Sequence, residues 1–161
     1  MNEIKVILKD RIDAIEKRIL LVLEQLDDQQ VNWRPNESSN SISNLIIHIN
    51  GNMKERIGSG MNHVPFVRNR DDEFEEQFKT QAELIEITKS LFSELRETLV
   101  AMSDERFAQT QKIGDRELTN LAIFIQCATH FSEHMGQILY IAKIIKDGEY
   151  VTTSVPKKKP M

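Results

Sequence analysis

The sequence contains little of what marks several common classes of protein. Its single cysteine, Cys127, excludes an intramolecular disulfide framework. The opening segment MNEIKVILKD lacks the long apolar run of a signal peptide or membrane span, so we expect no membrane association and a cytoplasmic location. The formal net charge of −4 argues against a general nucleic-acid binder, so no nucleic-acid partner is expected.

The overall composition is typical of one folded domain. Apolar residues make up 40% and charged residues 29% of the 161 positions, which gives the chain enough material for a sizeable core. We expect this domain to cover residues 1–150. Residues 151–161 are predicted to be a polar, basic tail, in which the run 157–159 of three lysines is too short to anchor the chain to a partner.

Apolar residues recur with helical spacing in the first third of the sequence. A first helix is predicted over residues 2–27, because apolar positions alternate there at steps of four and three. These positions are Ile4, Leu8, Ile12, Ile15, Ile19, Val22 and Leu26. The polar segment NWRPNESSN then ends this helix. A second helix is predicted to begin after Asn40 or Ser41 as its cap and to end at Gly58 and Gly60.

The rest of the sequence predicts two more helices. Residues 60–79 have no sustained periodicity and are interpreted as a long connection, of a length that is often functional. A third helix is predicted from near Thr80 to Met102, and the last from about Thr119 to Asp147. We find no convincing strand pattern and no internal repeat. Four amphipathic helices without strands predict an all-α fold, an antiparallel four-helix bundle.

Two histidines lie in the most apolar stretch of the sequence, ATHFSEHMGQILYIAKII. On a helical wheel His130 and His134 both point to the apolar side, where burying two imidazoles is costly unless each ring finds a partner. Hydrogen bonds within the core are one solution. A shared metal ion is another, because i, i+4 spacing lets two rings on one helix bind a single cation. His48, at the edge of the apolar face of the second helix, is the candidate third ligand, whereas His63 is expected to be exposed.

Three other side chains have two interpretations each. Cys127 precedes His130 by one helical turn and could be a metal ligand or a nucleophile, although a buried free cysteine usually packs as a small apolar residue. Arg68 and Arg70 in VRNRDDEF could bind a carboxylate or a phosphate. Alternatively, the acidic run 71–73 neutralises them in weak surface pairs.

Metal-bound imidazoles normally donate their other N–H group to a nearby acceptor. Four polar residues lie within one or two helical turns of the three candidate ligands. They are Asn52, Glu55, Glu133 and Gln137. Each is a candidate acceptor, and the alternative for each is a solvated side chain.

The histidine pattern resembles that of the DinB-like (DinB/YfiT-like) family. That family has one histidine in its second helix and an HxxxH pair in its fourth, and LIIHINGNM and THFSEHMGQILYIAK match with His48, His130 and His134. The resemblance spans nearly the whole chain and implies a four-helix bundle with a three-histidine metal site. The segment VPFVRNRDDEF is similar to the loop of a DinB-like subfamily of uncharacterised function. Similarity to YfiT-type bacillithiol transferases and mycothiol-dependent relatives implies thiol transfer as one activity.

Three imidazoles would leave a divalent cation with at least one open coordination position. The first functional hypothesis is therefore a metal-dependent enzyme, a hydrolase or a thiol S-transferase, whose substrate is a small molecule such as a low-molecular-weight thiol. The second is a non-catalytic metal-binding or stress-associated helical bundle, and the third is a helical interaction protein without metal. All-nitrogen ligands favour zinc first and nickel second, with iron or manganese after them.

Apolar surface beyond one bundle core predicts a homodimer. The second helix is apolar at nearly every position of 45–49, and the last helix carries a second apolar flank beside its inward face. This flank consists of Ala128, Phe131, Met135, Leu139 and Ala142. A two-fold pairing of bundles would bury this excess, although the connection over 60–79 could cover it within one chain.

Overall fold

Four long helices build the fold in the computed structural model, which describes residues 2–155. In chain order the helices are α1 Asn2–Leu23, α2 Asp28–Asn32, α3 Ile42–Met53, α4 Gln81–Ala101, α5 Asp104–Ala108 and α6 Asn120–Lys146. Helices α1 and α3 each pack on both α4 and α6, so they occupy diagonal corners of the bundle. The predicted all-α, antiparallel four-helix bundle is confirmed.

Polar caps start the bundle helices where the sequence predicts them. Ser41, not Asn40, caps α3, because its side chain accepts a hydrogen bond from the backbone N–H of Asn44. Thr80 and Thr119 cap α4 and α6 in the same way. The predicted end of the first helix at residue 27 is wrong, because Asp27 caps the short helix α2 and the chain turns after Leu23.

The apolar faces of the four long helices meet in one continuous core. The flank of α6 that suggested a dimer lies inside this core, where its five residues are each at most 8% exposed. Leu45, Ile46 and Ile49 of α3 are each 1% exposed. The apolar surface that motivated the dimer prediction is therefore covered within the chain, in the core of the bundle.

The connection between α3 and α4 is long and mostly irregular, as predicted. Helix α3 continues into a π-helical turn, Lys54–Ser59, which ends beside the two predicted glycines. A short 3₁₀ turn, Asp71–Phe74, follows and packs on α3. The connection therefore lies against the helix that carries His48.

A small β-hairpin joins α5 to α6, and the expectation of no strands is wrong here. Strands β1, Thr110–Ile113, and β2, Arg116–Thr119, pair antiparallel across a two-residue loop. Gly114 in that loop has φ 58°, a conformation that glycine adopts without strain. The signal was present in the sequence, since Gly-Asp between two short runs is a hairpin pattern.

The last described residues return to the first helix and to the turn that follows it. Arg18 Nε donates to Thr153 Oγ1 at 3.2 Å, and the Val151 N–H donates to Gln25 Oε1 at 2.8 Å. The predicted basic run 157–159 lies outside the described residues. Within residues 2–155, no helix is both long enough and apolar enough to cross a membrane.

Candidate metal centre

His48 from α3 and the pair His130 and His134 from α6 come together where these two helices pack on each other. The Nε2 atom of His130 lies 3.2 Å from Nε2 of His48 and 2.8 Å from Nε2 of His134. One nitrogen from each ring lies within 4.8 Å of the other two. Nitrogens that share one zinc ion at ~2.0–2.1 Å are roughly 3 Å apart, so the cluster, called here the triad, is compatible with a metal site.

The outer nitrogens of two rings have protein acceptors. His48 Nδ1 donates to Glu73 Oε2 at 2.8 Å, and His134 Nδ1 donates to Gln137 Oε1 at 2.7 Å. Gln137 is one of the four acceptors expected from the sequence. An ionised carboxylate only accepts hydrogen bonds, so the His48 hydrogen belongs on Nδ1. The two hydrogen bonds fix the tautomers of both rings, leaving lone pairs on their Nε2 atoms.

These tautomers create a conflict at His130. Its Nε2 atom faces the Nε2 lone pairs of both His48 and His134 and carries at most one hydrogen when the ring is neutral. It can donate to one neighbour only, so the other contact sets two lone pairs against each other. A divalent cation shared by the three nitrogens would remove this conflict, and three neutral imidazoles are a suitable donor set for such an ion.

Burial keeps two of the rings neutral. It lowers the pKa of His48, and the hydrogen bond to Glu73 opposes this effect without cancelling it. Burial and the adjacent rings of His134 and His48 lower the pKa of His130 to about 4. Neutral imidazoles are the form that binds metal ions, so these shifts favour the cation over the proton at neutral pH.

Behind His48, a buried ion pair holds the Glu73 carboxylate. Arg68 donates from Nε to Glu73 Oε1 at 2.7 Å and from Nη2 to Oε2 at 2.8 Å, and its Nη1 reaches Glu55 Oε2 at 3.0 Å. Burial lowers the pKa of Arg68, but the hydrogen bonds and charges of the two glutamates outweigh it and raise the value. The expectation of weak surface pairs is wrong for Arg68, because its side chain and that of Glu73 are both buried.

Several contacts hold the 3₁₀ turn against α3 so that Glu73 faces His48. Asn44 Nδ2 donates to the backbone carbonyls of Glu73 and Glu75 at 3.0 and 2.8 Å. The Phe74 ring packs against His48 with centroids 4.9 Å apart. Gly51 makes this approach feasible, because a Cβ atom there would lie 1.9 Å from Glu73 Oε1.

The remaining candidates take other positions. Burial raises the pKa of the Cys127 thiol to about 12, so Cys127 is a neutral buried thiol, 3.9 Å from Asn52 Oδ1, and not a nucleophile. Arg70 stacks over the Phe74 ring, 5.0 Å from its centroid. His63 is exposed, as expected. Glu133 lines the cleft and is not hydrogen-bonded to the triad among the described residues.

A cleft of about 1180 Å³, called here the triad cleft, opens beside these rings. His48 and His130 line it, and so does the β-hairpin from Gln111 to Arg116. Cys127 lies in its wall. The volume is sufficient for a small-molecule ligand. The triad is therefore reachable from the surface.

The bundle and the triad define the class, a four-helix bundle with a cluster of three histidines. A family model described as "Protein of unknown function (DUF1572)" matches residues 3–159. The chain therefore belongs to that family. Among curated proteins no sequence matches the chain.

Two solved structures share the fold. A conserved protein from Enterococcus faecalis, 13% identical, aligns with a TM-score of 0.74 over 86% of this chain and 95% of its own. A DinB-like protein from Bacillus subtilis, YjoA, is 16% identical and aligns with a TM-score of 0.64 over 93% of this chain and 96% of its own. At these identities the comparison shows the fold alone, and this fold is the one that the DinB-like resemblance implies.

Proposed function

We propose that this chain is a divalent-metal-dependent enzyme in which His48, His130 and His134 bind the ion. The main support is the convergence of three Nε2 atoms while the Nδ1 hydrogens of two rings are already donated to Glu73 and Gln137. In the absence of a cation this arrangement contains an unfavourable contact between lone pairs. Three neutral imidazoles suit zinc first and nickel second, with iron or manganese after them.

The chemistry supplied by a bound divalent ion is Lewis-acid catalysis, together with a lowered pKa for a water or thiol ligand. The chain itself contributes the orientation of His48 through Glu73 and a cleft that admits a small substrate. These features support hydrolysis or the transfer of a low-molecular-weight thiol to an electrophile. The alternative is a non-catalytic metal-binding bundle, which would bind the same ion without catalysing a reaction.

Metal analysis of untagged protein tests the proposal. After zinc loading and dialysis at pH 7.5, we expect the wild type to retain stoichiometric zinc and His48→Ala to lose it without loss of helical circular dichroism. His63→Ala is the matched control, because His63 is an exposed histidine outside the triad. Zinc retained in full by His48→Ala would exclude the triad, and no stoichiometric metal in the wild type after supplementation would favour a metal-free interaction protein.

Two further expectations from the sequence stay predictions. The homodimer is tested by light scattering, where a monomer mass at micromolar concentration would contradict it. The cytoplasmic location is tested by cell fractionation.

A further inference from the structure

The triad cleft is unusually basic for a chain of net charge −4. Five basic and three acidic side chains line it. Arg68 pairs with Glu55 at 3.0 Å and with the buried Glu73 at 2.7 Å, so these three groups together carry one net negative charge. The rest of the lining has four basic residues against two acidic ones. The basic residues are Arg56, Arg70, Lys112 and Arg116, and the acidic ones are Asp115 and Glu133.

These four cations form no ion pair in the described part of the chain, although Glu117 is the cross-strand neighbour of Lys112. Among residues 2–155, no carboxylate oxygen lies within 4.0 Å of their side-chain nitrogens. Two of them, Lys112 and Arg116, stand on either side of the hairpin loop and are exposed. The hairpin therefore presents positive charge to the same cleft that His48 and His130 line.

Arg56 is the most deeply placed of the four. It belongs to the π-helical turn that extends α3, and its Nη1 atom is buried without a hydrogen-bond partner in the described part of the chain. A buried, unpaired donor costs free energy that an acceptor can recover. Arg56 lines the same cleft as His130 and Cys127, so its guanidinium belongs to the cleft that the triad shares.

A buried acceptor accompanies this donor. Gln126 Oε1 lines the same cleft and has no hydrogen-bond partner among residues 2–155. Unpaired buried polar atoms are uncommon in folded proteins. The Arg56 donor calls for an acceptor oxygen, whereas Gln126 Oε1 calls for a donor group elsewhere on the same ligand. No phenylalanine, tyrosine or tryptophan among the described residues lines the cleft, which disfavours binding of single-stranded nucleic acid by base stacking.

We infer that the triad cleft contains an oxyanion-binding subsite in which Arg56 is the anchor and the hairpin residues Lys112 and Arg116 form the outer wall. The substrate of the proposed enzyme then carries a carboxylate or phosphate group beside the group that reacts at the triad. The planar guanidinium fork of Arg56 matches two oxygens of such a group. The part of this inference that concerns the reacting group rests on the proposed function. The subsite itself needs no metal.

The experiment is an NMR titration of metal-free, ¹⁵N-labelled protein with inorganic phosphate at pH 7.5. We expect saturable shifts of backbone amides at 56–60 and 111–116. Arg56→Gln should weaken phosphate binding about tenfold, because it removes a charge-assisted bidentate contact. Arg11→Gln on α1 removes the same charge from an exposed position outside the cleft and should change affinity by less than about twofold.

A second variant covers the case in which Arg56→Gln does not fold. Lys112→Gln combined with Arg116→Gln alters only exposed hairpin side chains and should weaken phosphate binding about threefold. Unsaturable shifts, or equal losses in the Arg11 control, would overturn the subsite. Displacement of phosphate by a short single-stranded oligonucleotide at lower concentration would overturn the small-molecule assignment.

Parallel titration with acetate separates the two sources of the oxyanion. Tighter binding of phosphate identifies a phosphate group, and tighter binding of acetate identifies a carboxylate; either result supports the subsite. Zinc retention, measured separately, reports on the triad. Phosphate binding without zinc retention would refute only the proposed function, and zinc retention without phosphate binding would refute only the subsite.

Discussion

The Glu73 carboxylate accepts a hydrogen bond from His48 Nδ1 at 2.8 Å although 25 positions separate the two residues. This contact links the long connection to the bundle and sets the tautomer of His48. Arg68 holds the same carboxylate through two hydrogen bonds, so the orientation of the ring depends on a buried ion pair. The connection is therefore part of the candidate site.

Glu73→Gln should weaken zinc binding about 10- to 100-fold, as is typical when the acceptor of a ligating histidine is altered. The amide is neutral and leaves Arg68 without its buried counter-ion, so the free energy of unfolding should also fall by about 2–4 kcal/mol. Competition with a chromophoric chelator measures the affinity, and urea unfolding measures the stability.

Glu76→Gln is the matched control for this change, because Glu76 is an exposed glutamate of the same connection. It should leave both quantities within experimental error. Wild-type zinc affinity in Glu73→Gln, with a folded protein, would mean that the contact between Glu73 and His48 does not support metal binding.

Gly51→Ala tests the close approach of the connection to α3. Alanine is normally favoured over glycine inside a helix by about 1 kcal/mol. Here its Cβ atom would lie 1.9 Å from Glu73 Oε1, so the carboxylate must move away from His48. We expect the variant to be less stable by about 1–3 kcal/mol and to bind zinc more weakly.

Gly136→Ala provides the comparison for that substitution. Gly136 lies in α6, and a Cβ atom there would meet nothing within 4 Å. This variant should gain about 0.5–1 kcal/mol from helix propensity alone. If urea unfolding showed the same gain for Gly51→Ala, the carboxylate would not be held against the helix as described.

Local patterns predicted the parts of the molecule that depend on local physics. Apolar spacing and polar caps located the four long helices, and the i, i+4 spacing located His130 and His134 on one face. His48 followed from its place on the second helix and from the family resemblance. These signals work because each depends on residues within a few turns of one another.

The contacts that complete the site could not be found in this way. Glu73 appeared as one of three consecutive acidic residues, and nothing local distinguishes it from Asp71 or Asp72. Its burial depends on Asn44, which holds the turn from 29 positions away, and on the space above Gly51. The hairpin is different, because its Gly-Asp signal was local and was overlooked.

Stability should depend on pH through His130. Its pKa is lowered from 6.5 to about 4 in the fold, chiefly by burial, so the unfolded chain takes up the proton first as the pH falls. The contribution of this ring is therefore fully present above pH 6.5 and is lost as the pH falls from 6.5 to about 4. His130→Ala should flatten the pH dependence of the urea midpoint across that window. If the urea midpoint of His130→Ala depended on pH as steeply as that of the wild type, other groups would cause the pH dependence.

Added zinc should make the stability fall more steeply with pH across the same window, because protons compete with the ion for the imidazoles. We expect zinc to raise the melting temperature at pH 7.5 and to have little effect at pH 4. The double variant His130→Ala with His134→Ala should lose the zinc effect at pH 7.5. If that variant were stabilised as much as the wild type, the ion would bind elsewhere.

Cys127 should be chemically inert in the folded protein although it lies in the wall of the triad cleft. The thiol is 1% exposed and burial raises its pKa to about 12, so almost no thiolate forms at pH 8. We expect Ellman's reagent to react at least about a hundredfold more slowly with the native protein than with protein in guanidinium chloride. Cys127→Ala should retain zinc like the wild type, because the three histidines supply the ligands. Rapid labelling of the native thiol, or zinc loss in Cys127→Ala, would return the cysteine to the site as a ligand or nucleophile.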